Sequence, residues 1–215
     1  MKAIIFDMDG VVLDSEKHWD KEVFKLFKKW VPKWNPEKHE KVVGLNTHDL
    51  FEALDRNGIK MVEKDFAETI ETIAMRIYRT RAKVMPGLID LVKALRKKKV
   101  PIGLASSSKI SWITYALKAS KLASYFDFIT SSEEVKEGKP DPDIYLLATK
   151  RMKVKPNQCV AIEDSAIGVK AAKSAGLFTV AFRNGTNDSQ DHSPADREIR
   201  GFTKENNRKI LALLE

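Results

Sequence analysis

Between residues 85 and 182 the chain alternates short apolar runs with stripes of helical period, and that alternation leaves few folds open. Leu88, Leu91, Val92 and Leu95 mark one face of a helix, and residues 100–105 then read as a strand. A helix over 112–117, a strand over 126–129, a helix over 142–152 and a strand over 159–162 follow. Small residues from 166 to 175 make a further helix, stopped by Gly176, before a strand over 178–182. Strands separated by helices pair in parallel, because each crossover needs that length of chain to return to the same end of the sheet. The expected class is α/β: a doubly wound parallel sheet.

One more apolar run stands apart near the start, where Ala3-Ile4-Ile5-Phe6 leads straight into Asp7-Met8-Asp9-Gly10. No strand pattern follows it until residue 85. Instead a helix that Asp14 or Ser15 can cap carries Trp19, Val23, Leu26, Phe27 and Trp30 on one face, and Pro32 and Pro36 end it. Leu50, Phe51 and Leu54 mark a helix from about Thr47 to Gly58, and Phe66, Ile70, Ile73 and Ile77 mark a longer one. The expected organisation is therefore a core of residues 1–14 and 85–215, with an all-helical insert of residues 15–84. Residues 184–196 are polar and read as a loop, and 204–214 as a closing helix.

The 43% hydrophobic content suits a packed core, and no apolar stretch approaches the ~18 residues that span a bilayer. The acids that follow the first apolar run exclude a secretory signal, so a cytoplasmic, monomeric protein with no membrane partner is expected. Cys159, the single cysteine, lies in an apolar strand-like run and reads as a small core residue. The net charge of +8 comes from lysines spread over helical faces, and the tight run Arg96-Lys97-Lys98-Lys99 falls at a helix end, where cations suit the dipole. That pattern argues against nucleic acid and for small anionic substrates.

Ligands of doubly wound sheets bind beyond the carboxyl ends of the strands. The first strand presents Asp7 and Asp9 there, the second Ser106, Ser107 and Ser108, and the fourth Glu163, Asp164 and Ser165; Lys139, in Gly138-Lys139-Pro140, lies beyond the third. Two neighbouring acids repel one another and call for a cation, and Mg²⁺ takes hard oxygen ligands while keeping phosphates as partners. A carboxylate can attack phosphorus, a second acid can protonate the leaving oxygen, and a lysine can balance the phosphate charge. Each piece alone has an ordinary reading as a helix cap or a solvated turn. Their order, each near a strand end, argues for one site.

With Asp7-Met8-Asp9-Gly10-Val11, Leu104-Ala105-Ser106, Gly138-Lys139-Pro140 and Glu163-Asp164-Ser165 in this order, the chain resembles the haloacid dehalogenase (HAD) superfamily. The likeness is to the branch of phosphotransferases with a helical cap after the first strand of a Rossmann-like core. The resemblance implies that Asp7 is the nucleophile and Asp9 the general acid/base. It places Ser106, with Ser107 beside it, and Lys139 on the substrate phosphate. It also implies Mg²⁺ held by the Asp7 side chain, the Asp9 backbone carbonyl and Asp164, with Glu163 as a nearer or water-mediated partner. The substrate would be a small phosphate monoester. The segment Asp14-Ser15-Glu16-Lys17-His18-Trp19-Asp20 is similar to that of hexose-phosphate phosphatases of this branch, and a sugar phosphate is the favoured substrate. β-Phosphoglucomutase and phosphoglycolate phosphatase are the alternatives within it. The mutase's cap histidine and arginine fall here on Trp19 and Thr47, which weakens that reading. A phospho-acceptor switch is the non-enzymatic alternative.

Overall fold

Ala3–Phe6 forms β1, buried along its whole length as expected of a strand covered on both faces. The computed structural model describes all residues, 1–215. Helices α1 (Glu16–Trp30), α2 (Pro36–Glu40), α3 (Thr47–Arg56) and α4 (Glu63–Thr80) follow with no strand among them. The chain then alternates α5 (Leu88–Lys97), β2 (Ile102–Ser106), α6 (Ile110–Ala119), β3 (Phe128–Ser131), α7 (Asp143–Arg151), β4 (Cys159–Glu163), α8 (Ala166–Ser174) and β5 (Phe178–Arg183). It closes with β6 (Arg197–Arg200) and α9 (Lys204–Ala212).

The sheet is parallel throughout, in the order β3-β2-β1-β4-β5-β6. Successive crossovers run outward from β1 to β3, and the next returns to the other side of β1, so the switch point lies between β1 and β4. Ile5 pairs with Gly103 on one side and Ala161 on the other. Alternation along β1 divides the core between the two faces of the sheet. Ile4 and Phe6 join a cluster with Leu88, Leu91, Trp112 and Ile210, whereas Ala3 and Ile5 pack with Tyr145, Ala148, Ala171 and Ala172.

Two elements are additional to those read from the sequence. Strand β6 has only Ile199 buried among charged neighbours, so its pattern resembles a loop. Helix α2 is one turn opened by Pro36, with Asn35 Oδ1 accepting from the Lys38 backbone N–H. The four helices from α1 to α4 connect to the sheet through two adjacent strands of chain. Leu13 bridges Val84 antiparallel, with Asp14 N–H donating to Lys83 O at 2.8 Å and Met85 N–H to Val12 O at 2.9 Å. Helix α4 lies against α6, and Trp112 Nε1 donates to Glu71 Oε2 at 2.7 Å.

Candidate active site

The sheet delivers its acids to the switch point. β1 ends at Phe6 and β4 at Glu163, so Asp7 and Asp164 leave neighbouring strands side by side. Gly10 has φ of 83°, a conformation that favours glycine, and a Cβ there would fall onto the Asp164 carboxylate. Lys139 Nζ reaches in and donates to Asp7 Oδ1 at 2.6 Å, Glu163 Oε1 at 2.5 Å and Ala105 O at 3.3 Å. Tyr145 Oη donates to Glu163 Oε1 at 2.5 Å. On Asp164, Oδ2 accepts from Asn184 Nδ2 and Asn187 Nδ2, both at 2.7 Å. Loop 184–196 thus fixes the acid that follows β4, and His192 Nε2 adds a bond to its backbone carbonyl at 2.7 Å.

Asp7, Glu163 and Asp164 are all buried, and one oxygen of each lies within 4.8 Å of the others. One lysine serves this acidic group. Burial disfavours the charge on Lys139, but Asp7 and Glu163 outweigh it and hold the ammonium well above its ordinary range. The carboxyls respond in the opposite sense. Burial, with Glu163 and Asp9 nearby, pushes Asp7 up despite Lys139. Burial together with Glu16, Asp7 and Glu163 pushes up Asp164. The surplus of acids over cations, in hard oxygen donors facing one point, fits a divalent ion of the Mg²⁺ class. Asp7 and Asp164 are the best placed to hold it, because the Glu163 carboxylate is engaged by Lys139 and Tyr145.

Asp9 turns away from this cluster. Its Oδ1 accepts from Ser15 Oγ at 2.5 Å and its Oδ2 from Ser108 Oγ at 3.0 Å, and Tyr78 Oη lies 2.9–3.0 Å from both oxygens. Burial raises this carboxyl, and the donors from Ser15, Tyr78 and Ser108 oppose the rise. Ser15 does occupy the N-cap position of α1, but its hydroxyl serves Asp9 and caps no backbone N–H. Ser106 Oγ accepts from the Ser108 backbone N–H at 3.1 Å. Ser106 and Ser107 line the same cleft as Asp7, Asp9, Lys139 and Asp164; Glu163 lies beneath it, fully buried.

The space between the walls of the cleft, its open mouth included, is about 730 Å³. Its far wall comes from α1 to α3 and the segments between them: Glu16, Trp19, Asp20, His39, Asn46 and Thr47. Trp19 therefore lines the cleft, while His18 does not. Asn46 both lines it and caps α3, accepting from Asp49 N–H at 2.9 Å. Sequence patterning missed Glu16, Asp20, His39 and Tyr78. Glu16 is 8% exposed, and burial beside Asp9, Asp7 and Asp20 pushes its carboxyl well up. The one signal in the sequence is an acid at helical spacing from the apolar Trp19 and Val23, and its place in the first turn of the helix reads as dipole compensation.

The model of the haloacid dehalogenase-like hydrolase family matches residues 4–182, which takes in β1, the four inserted helices and the sheet as far as β5. The chain belongs to that family. It is 33% identical over 181 residues to a phosphorylated carbohydrates phosphatase of Thermotoga maritima, covering 82% of each chain. A fructose-1-phosphate phosphatase of Escherichia coli is 30% identical, with 84% of this chain and 96% of the relative covered. A β-phosphoglucomutase of Bacillus subtilis is 31% identical, over 86% and 84% of the two chains. Among solved structures, β-phosphoglucomutase of Clostridium difficile superposes with a TM-score of 0.83 at 25% identity, over 100% of this chain and 97% of that one. No helix of this protein is long and apolar enough to cross a membrane.

Proposed function

We propose that this family member is a Mg²⁺-dependent phosphatase that hydrolyses small phosphate monoesters, sugar phosphates above all, through a phosphoaspartate on Asp7. The observation that carries the reading is the Lys139 ammonium between Asp7 and Glu163, with Asp164 beside them, at the switch point of the sheet. Lys139 holds one oxygen of Asp7 and neutralises charge that would repel a dianionic phosphate. The other Asp7 oxygen attacks phosphorus, and the bond from phosphorus to the ester oxygen breaks. Asp9, two residues on, gives its proton to the departing alkoxide and takes one from the water that then cleaves the acyl phosphate. Ser106, with Ser107 beside it, and Lys139 contact the phosphate oxygens. Asp7, Asp164 and the Asp9 carbonyl would hold Mg²⁺, which when bound withdraws charge from the transferring group. Helices α1–α4 act as a cap over the cleft, separating it from bulk water.

The likeness to β-phosphoglucomutases raises a second reading, in which a sugar phosphate is the acceptor. The far wall of the cleft argues for water. It carries Glu16 and Asp20, no arginine or lysine, and a His39 whose Nε2 pairs with Asp20 Oδ1 at 3.0 Å. A second phosphate would meet acids there. The same wall disfavours phosphoglycolate, whose leaving group is anionic, and suits hydroxyls.

The test is phosphate release from a panel of sugar phosphates, phosphoglycolate and nucleotides, with and without Mg²⁺. Mg²⁺-dependent turnover of sugar phosphates is expected, with Asp7→Asn folded and inactive. Full activity of Asp7→Asn would overturn the nucleophile. Exchange between hexose phosphate isomers on adding a bisphosphate, with no phosphate released, would establish the mutase.

A further inference from the structure

We infer that Tyr78, on the last turn of α4, is a positioning residue for the acid/base Asp9, fixing by its hydroxyl the carboxyl that delivers the leaving-group proton. The inference rests on the phosphatase reading above. Tyr78 is only 4% exposed, and its ring packs edge-on to Trp19 with centroids 6.1 Å apart. Its oxygen lies 2.9 Å from Asp9 Oδ2, 3.0 Å from Asp9 Oδ1 and 3.0 Å from Ser108 Oγ, and it accepts from Trp19 Nε1 at 3.2 Å.

Proton count and acceptor charge together set the direction of these bonds. A phenol has one proton, and an indole N–H can only donate. Trp19 therefore fills one lone pair of the Tyr78 oxygen. Ser108 is itself placed to donate to Asp9 Oδ2, and its hydroxyl oxygen is a weaker acceptor than the two charged carboxylate oxygens at 2.9 and 3.0 Å, so the Tyr78 proton goes to Asp9. Asp9 then receives protons from Ser15, Ser108 and Tyr78. A carboxylate offers about four lone pairs, so one is left over. That remaining position is where the transferred proton sits: it passes from Asp9 to the ester oxygen as the Asp7–phosphorus bond forms and the phosphorus–ester oxygen bond breaks. Removing the Tyr78 hydroxyl frees the carboxyl to rotate and blurs that one direction. Ser108 flanks Asp9 from the chain that follows β2, whereas Ser15 and Tyr78 come from the start of α1 and the end of α4. The fully held arrangement therefore exists only where the inserted helices meet the core.

The experiment compares Tyr78→Phe with wild type on phenyl phosphate and p-nitrophenyl phosphate. The two have nearly the same shape, but nitrophenolate departs without a proton and phenolate needs one. The variant should lose about tenfold or more in kcat on phenyl phosphate, with KM within about twofold. The p-nitrophenol burst should fall far less. Trp19→Phe, which removes the N–H that orients the phenol, should show the same selectivity to a smaller degree, giving a second reading should Tyr78→Phe fold poorly. Equal losses on both substrates, or none on either, would overturn the inference and leave the phosphatase reading standing. A wild-type protein that turns over neither ester, nor any sugar phosphate, would overturn both.

Discussion

Gly168→Ala sets helix propensity against a buried carboxylate. Within α8, alanine ordinarily gains at most about 1 kcal/mol over glycine. Here its Cβ would lie far inside contact distance of the Glu163 carboxyl carbon and both its oxygens. A flexible carboxylate on a surface would swing aside. Glu163 is fully buried and held by Lys139 and Tyr145, each at 2.5 Å. Overpacking costs about 1–3 kcal/mol, and a lost hydrogen bond to a charged group a further ~1.5–3 kcal/mol. Against the propensity gain, the net destabilisation is about 2–4 kcal/mol, or roughly 5–15 °C in Tm for a chain of this size. Activity should fall with it, since Lys139 loses the partner that aligns it on Asp7. Thermal melting with and without Mg²⁺, beside phosphate release, reads both effects. Shortening the acid in the double variant Gly168→Ala with Glu163→Asp should restore part of the stability. A single variant as stable as wild type, and as active, would refute the claim that Glu163 is pinned.

Asp164→Ala should raise the Mg²⁺ concentration for half-maximal activity by about tenfold or more, with a parallel loss of Mg²⁺ protection in thermal melts; an unchanged Mg²⁺ titration would remove Asp164 from the metal site. Glu134 receives Arg151 through Nη1 and Nη2, at 2.9 and 2.7 Å, and the Ser131 N–H at 2.9 Å, and Arg151 holds its carboxyl below the ordinary range. A group depressed in this way stabilises the fold above its unfolded pKa, and that stability is lost as pH falls through the folded value. Glu134→Gln should therefore lower Tm at neutral pH by about 2–4 °C, for a screened contribution of about 1 kcal/mol, and the gap to wild type should close in acid. A gap of constant size down to acid pH would show that the charge is immaterial.

The strands nearest the switch point were legible because burial on both faces makes them continuous apolar runs, as in Ile102–Ser106 and Cys159–Glu163. β6 was not, because an edge strand with one buried side chain carries no such run. In the site, Asp7, Asp9, Ser106 and Asp164 could be collected because topology brings strand ends together, and Lys139, well beyond the end of β3, through the order of the Gly-Lys-Pro segment among them. Their partners could not. Tyr78 reads as one more apolar position of α4, and its hydroxyl finds Asp9 only through tertiary packing. Asn187, 3% exposed, lies in a segment whose composition reads as surface. Glu16 was hidden by its own position, since an acid in the first turn of a helix is what dipole compensation alone would select.

The paired strands at Leu13 and Val84 have a consequence for how such a protein can change. Because the excursion through α1–α4 departs and returns at adjacent points, its ends match those of a tight turn, and the rest of the chain need not register what lies between them. Substrate preference could then be rewritten by exchanging one contiguous stretch of gene, while the phosphoryl-transfer apparatus is inherited whole.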